Sequence, residues 1–174
     1  MKSIRTRLAG CLLLGMAWHS VGTANPAVPV AAETADMPPL CFQKGADHRV
    51  CIVDWRGRVV LLNLWATWCA PCKQEMPQLN RLQAMLGGEK FEIVALSVDR
   101  GGANVVSNFY ARNGVKNLAV YVDASVQAID TIRARRIPIS LLIDRQGQVV
   151  QRLSGPVDWT AAGNVESIRR LIAD

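Results

Sequence analysis

Residues 59–77 read V-V-L-L-N-L-W-A-T-W-C-A-P-C-K-Q-E-M-P, and they limit the possible folds more than any other stretch. The opening run is nearly unbroken in Val and Leu. Such a run reads as a strand buried on both faces, the mark of a central strand in an α/β sheet. From Lys73 to Leu86 the apolar residues recur at helical period instead. Cys69 and Cys72 therefore fall where a strand ends and a helix begins. A helix N-terminus offers unpaired N–H groups and the positive end of the dipole, which lower a thiol's pKa. Cys69 is placed to attack, and Cys72, about one turn inward, to resolve a mixed disulfide. Pro71 costs little in the first turn, whereas Pro77 inside the helix should kink it.

Trp68-Cys69-Ala70-Pro71-Cys72 after Leu-Asn-Leu-Trp-Ala-Thr resembles the thioredoxin superfamily. Asn63, Trp65, Thr67 and Glu75 are similar to its TlpA/ResA-like branch of exported thiol-disulfide oxidoreductases, over a region from about Leu40 to Asp174. The resemblance implies a cis Ile137-Pro138 bond beside the cysteines. Ile137 would offer its backbone to an extended substrate, and Trp68 and Pro138 would border the groove. Thioredoxins carry a buried Asp and a Lys near the cysteines. Here those positions hold Asn63 and Ala95, and Asn63 cannot titrate. The branch carries a Glu three residues past the second Cys, so the resemblance gives Glu75 the role of taking the Cys72 proton. No cofactor is implied beyond the dithiol/disulfide itself.

A C-x-x-C pair can also be half of a structural zinc site, which wants four ligands. The other cysteines past the N-terminal segment are Cys41 and Cys51, and the only histidines are His19 and His48. That set does not build a zinc site, and no metal is expected.

The net charge of +6 is inflated by the first 24 residues, where Lys2, Arg5 and Arg7 meet no acidic residue. Without them 17 basic residues face 14 acidic ones, and no basic, aromatic-interleaved patch suggests nucleic acid. Arg133, Arg135 and Arg136 form a short cluster, a solvated face or otherwise a partner contact. Residues 1–24 have a basic start, an apolar core from Leu8 to Trp18 and small residues at Gly22-Thr23-Ala24. That is the build of a signal peptide, cleaved, or else retained as an anchor over residues 8–24. Both place the domain outside the cytoplasm, in the periplasm if the source is Gram-negative. Residues 25–39, rich in Ala, Pro and Val, read as a flexible leader. Residues 40–174 then form one thioredoxin-like domain.

The remaining chain reads as a mixed sheet with helices on both faces. Cys41–Gln43 and Val50–Val53 read as strands of an N-terminal β-hairpin turning at Ala46, with His48 in the turn. Apolar runs at Phe91–Val98, Leu118–Val122, Ile139–Ile143 and Val149–Leu153 read as strands, the last two a hairpin with Gly147 at its turn. Helical spacing covers Val105–Tyr110, Val126–Ile132 and Val165–Ile172. The segment from Asp99 to Arg136 is a central strand–helix insertion of the kind the resembled family has. A hairpin centred on Ala46 brings Cys41 opposite Cys51. In an oxidising compartment the pair reads as a structural disulfide. Two free apolar cysteines, or a second redox pair, are the alternatives.

Three functions compete. The first is a dithiol reductant of disulfides in exported proteins. For it the resemblance implies apocytochrome c or copper-site assembly targets and a membrane electron donor of the DsbD/CcdA type. The second is an oxidant or isomerase, separated from the first by reduction potential. The third is a copper carrier, which would want soft ligands with a nearby His; Met76 is the only close thioether. The domain is expected to act as a monomer.

Overall fold

The computed structural model describes residues 35–174. The signal or anchor segment and most of the leader lie outside the described residues. The strands are β1 (Ala35–Asp36), β2 (Cys41–Lys44), β3 (His48–Cys51), β4 (Val59–Trp65), β5 (Phe91–Ser97), β6 (Tyr121–Val122), β7 (Ile139–Ile143) and β8 (Gln148–Ser154). The helices are α1 (Ala70–Leu86), α2 (Gly102–Asn113), α3 (Gln127–Thr131) and α4 (Ala162–Ala173). All eight strands join one sheet in the order β1-β8-β7-β4-β5-β6-β2-β3. Pairing of β4 with β5 and of β5 with β6 is parallel; the other pairs are antiparallel.

This is the expected mixed α/β sheet. Every residue of β4 and β7 is buried, so the sheet centre is covered on both faces, as the apolar runs demand. The parallel β4–β5 and β5–β6 pairs need crossovers, and α1 and α2 supply them. Trp65 on β4 stacks on Tyr110 of α2 with ring centroids 5.8 Å apart, which ties the insertion to the active-site strand. At the far edge, Phe42, Trp55 and Tyr121 pack edge-to-face or stacked beneath the hairpin. Glu92 gathers that corner: it accepts from the Trp55 indole and the Tyr121 hydroxyl and pairs with Arg58 at 2.9 Å.

Four local expectations need correction. The end of the leader is structured, because Ala35–Asp36 pair with β8 as an edge strand. The strand expected at Val50–Val53 stops at Cys51, and Ile52–Trp55 form a 3-10 turn that buries Ile52 and Trp55; periodicity cannot tell so short an apolar run from a strand. His48 is not in the turn but opens β3, opposite Lys44. The strand read at Leu118–Val122 shrinks to Tyr121–Val122. The α1 helix runs as one element through Pro77. At the β7–β8 turn Gly147 adopts φ +83°, which glycine enters without steric cost.

Candidate active site

Strand β4 ends at Trp65, and after a turn over residues 66–69 the chain enters α1 at Ala70. Cys69 is the N-cap of that helix, with extended backbone, and Pro71 lies in the first turn. The Cys72 N–H points to the Cys69 Sγ at 3.3 Å. Cys69 and Cys72 are joined as a disulfide. Cys69 is 6% exposed and Cys72 wholly buried, so only the first cysteine reaches the surface. Trp68 is 68% exposed beside it, a large apolar side chain left outside the core.

The Ile137-Pro138 bond is cis. Ile137 is half-buried and Pro138 buried. The Cys69 Sγ lies 3.9 Å from the Ile137 carbonyl oxygen. The Gly155 N–H donates to the Pro138 carbonyl at 2.9 Å, which holds this loop against the end of β8. The structure thus brings Trp68, Cys69, Cys72, Ile137 and Pro138 together.

Glu75 lies one turn past Cys72 and is 2% exposed. Its carboxylate accepts from the Val157 N–H at 2.6 Å and, at 3.5 Å, from the Asn63 side-chain amide. Burial pushes its pKa up from 4.5 to about 7, against the opposing pull of Val157, Asn63 and the Trp159 indole. Asn63 also donates to the Ser140 hydroxyl at 2.9 Å, while its Oδ1 is buried without a donor.

A second network holds the elbow before Cys69. Asp99, 4% exposed, accepts from the Thr67 N–H at 2.8 Å, the Thr67 hydroxyl at 2.7 Å and the Ser97 hydroxyl at 2.7 Å. Sequence reasoning did not single out Ser140, Asp99, Val157 or Trp159. A polar residue inside the apolar run Ile139–Ile143 was the available signal for Ser140. Nothing local marks Val157.

Cys41 and Cys51 stand directly opposite in the β2–β3 register and are joined by a disulfide. They lie at the sheet edge, separated from β4 by β5 and β6. A cavity of about 320 Å³ beside them is lined by Leu40, Trp55, Val60 and Ile143. It adjoins the start of β4, whereas Cys69 follows that strand's other end. Among the described residues no three His, Cys, Asp or Glu side chains are grouped to hold a metal ion.

A cystine at a helix N-terminus, a cis proline against its outer sulfur and an α/β sheet behind them define a thioredoxin-fold redox protein. Residues 32–172 match the Redoxin family. The chain is 34% identical over 133 residues to a thiol-disulfide oxidoreductase ResA of Geobacillus kaustophilus, covering 76% of this chain and 74% of the relative. A crystal structure of a putative thiol:disulfide interchange protein DsbE from Chlorobium tepidum superposes with a TM-score of 0.66 at 28% identity, over 82% of this chain and 97% of that one. StoA from Bacillus subtilis shares the fold, with a TM-score of 0.60 at 20% identity over 84% of this chain and 98% of that one. The chain belongs to the Redoxin family and is a ResA/TlpA-like thiol-disulfide oxidoreductase of the thioredoxin superfamily.

Proposed function

We propose that this chain is an exported dithiol reductant of protein disulfides, with Cys69 attacking and Cys72 resolving. The observation that carries the reading is the buried Glu75, with a pKa near 7, one turn from the wholly buried Cys72. In the reducing direction the Cys69 thiolate attacks one sulfur of the substrate disulfide. That bond breaks, a mixed disulfide forms, and the released substrate thiolate takes a proton from water. Cys72 then gives its proton to Glu75 and attacks the Cys69 sulfur. The second substrate thiolate leaves, and two electrons have passed to the substrate. A thiol buried as deeply as Cys72 ionises poorly without such a base.

The reduction potential separates the reductant from the oxidant, since strong oxidants owe theirs to a heavily stabilised thiolate. Trp68 and the Ile137 backbone form the substrate edge, and Cys41–Cys51 serves as a structural staple. Residues 1–24 export the domain as a cleaved signal, or residues 8–24 stay as an anchor, and a membrane donor of the DsbD/CcdA type recharges it. Apocytochrome c or copper-site assembly proteins are the expected targets. Equilibration with glutathione or dithiothreitol tests the direction. A potential near roughly −270 mV supports the reductant, and one near roughly −120 mV overturns it in favour of the oxidant. A Cys72→Ala variant should hold its partner as a mixed disulfide on Cys69.

A further inference from the structure

The arginines before the cis proline have no role in the chemistry above. Arg133, Arg135 and Arg136 are all exposed. Arg135 and Arg136 immediately precede Ile137, whose carbonyl lies against the Cys69 sulfur. Among the described residues the one ion pair is Arg58–Glu92, so none of the three is neutralised within the fold. The loop that carries them is nonetheless held firmly. Arg152 of β8 donates to the carbonyls of Ile132 and Arg133 at 2.6 and 3.0 Å. The Ala134 N–H donates to the Ile129 carbonyl at 2.8 Å. Arg136 Nε reaches the Ser154 hydroxyl at 3.4 Å.

Two more exposed cations follow residues of the site in the chain. Lys73, exposed, follows Cys72 and donates its backbone N–H to the Cys69 carbonyl at 3.1 Å. Arg100, exposed, follows Asp99, whose carboxylate holds Thr67. The nearby carboxylates Asp99, Asp130 and Asp158 carry charge of the opposite sign, but none forms an ion pair with these cations among the described residues, and Glu75 is sealed beneath the surface. Like charges gathered in a fixed loop repel one another, and a partner of opposite sign relieves that repulsion while steering encounter.

We propose that Arg135 and Arg136, with Arg133, Lys73 and Arg100, form a cationic rim that selects disulfides flanked by acidic side chains. The proposal rests on Cys69 being the exchanging sulfur. It makes the substrate class an acidic segment around a cystine, docked against residues 133–137.

The test uses the reduced protein and three peptides of equal length, each with one internal disulfide flanked by Glu, Gln or Lys. Protein oxidation is followed at about 0.01 M and about 1 M salt, where the screening length is roughly 30 Å and roughly 3 Å. The Glu peptide should react at least about tenfold faster than the Lys peptide at low salt. The preference should fall toward unity at high salt. Arg135→Glu/Arg136→Glu should invert it, and Arg135→Gln/Arg136→Gln should flatten it. Taking the Glu-to-Lys ratio within each variant cancels any change in the reactivity of Cys69 itself. A low-salt ratio within about twofold of unity in the wild type, or one unaltered by charge reversal, overturns the rim. If none of the three peptides oxidises the protein, the exchange reading of Cys69 fails and this proposal falls with it.

Discussion

At the scale of single residues, the proposed function assigns proton handling to Glu75 and docking to Trp68. The Glu75 carboxyl is moved to about 7 by burial, so it changes charge where thiol exchange operates. Release of the second substrate thiol should quicken as pH rises through about 7, because only the ionised carboxylate can take the Cys72 proton. Glu75→Gln keeps the shape and the acceptor for Val157 but cannot titrate. It should lose that inflection and slow resolution at neutral pH by about a hundredfold, the lower end of general-base contributions. Stopped-flow kinetics across pH checks this, and an unchanged profile removes Glu75 from proton transfer. In the same reading Trp68 supplies contact area alone. Since it is 68% exposed, Trp68→Ala should leave the melting temperature unchanged. It should lower kcat/KM for a protein disulfide by about tenfold, the scale of an aromatic hot spot. A variant that melts early yet retains full activity would make Trp68 a packing residue.

Among the elements, the β2–β3 hairpin carries the clearest stability prediction. Its disulfide closes a loop with a sequence separation of 10. Cys41→Ala/Cys51→Ala should cost about 2–3 kcal/mol on the chain-entropy account, read from urea unfolding. The potential of Cys69–Cys72 should not move, since the hairpin cystine borders the start of β4 and Cys69 follows that strand's other end. A shifted potential would couple the two pairs. The same hairpin illustrates what the sequence could reveal. Strands and helices with long apolar runs or sustained periods, such as β4 and α1, were legible because burial repeats along them. Opposition of Cys41 and Cys51 followed from counting about a turn. The short pieces were less legible: β1 has two residues, and the 3-10 turn after Cys51 has the composition of a strand. The cysteines, Pro138 and Glu75 were visible through their motif. The groups that surround Glu75 were not, because Val157 is 82 residues away and Ser140 joins Asn63 across 77. Periodicity assigns a residue to a face without naming its partner on another element.

Over the whole molecule, the buried carboxyl links redox chemistry to folding. Folding raises the Glu75 pKa from 4.5 to about 7, so the folded state holds this proton more tightly than the unfolded chain. Its contribution is fully present below the unfolded value and is lost as pH rises through the folded one. Between about pH 5 and about pH 8 the protein should therefore lose about 2–3 kcal/mol of stability from this residue, at about 1.4 kcal/mol for each tenfold change in proton affinity. Asp158 acts in the opposite sense, its pKa lowered chiefly by Thr160, but it titrates below this window and is exposed. In oxidised protein the cystines do not titrate, so they add nothing to the slope. Urea unfolding of the oxidised wild type at the two pH values should show the loss. Glu75→Gln, neutral throughout, should show little of it and should be the more stable protein at the higher pH. Parallel pH slopes in the two proteins would mean that Glu75 does not hold its proton in the fold, and the proton route through it would then have to be abandoned.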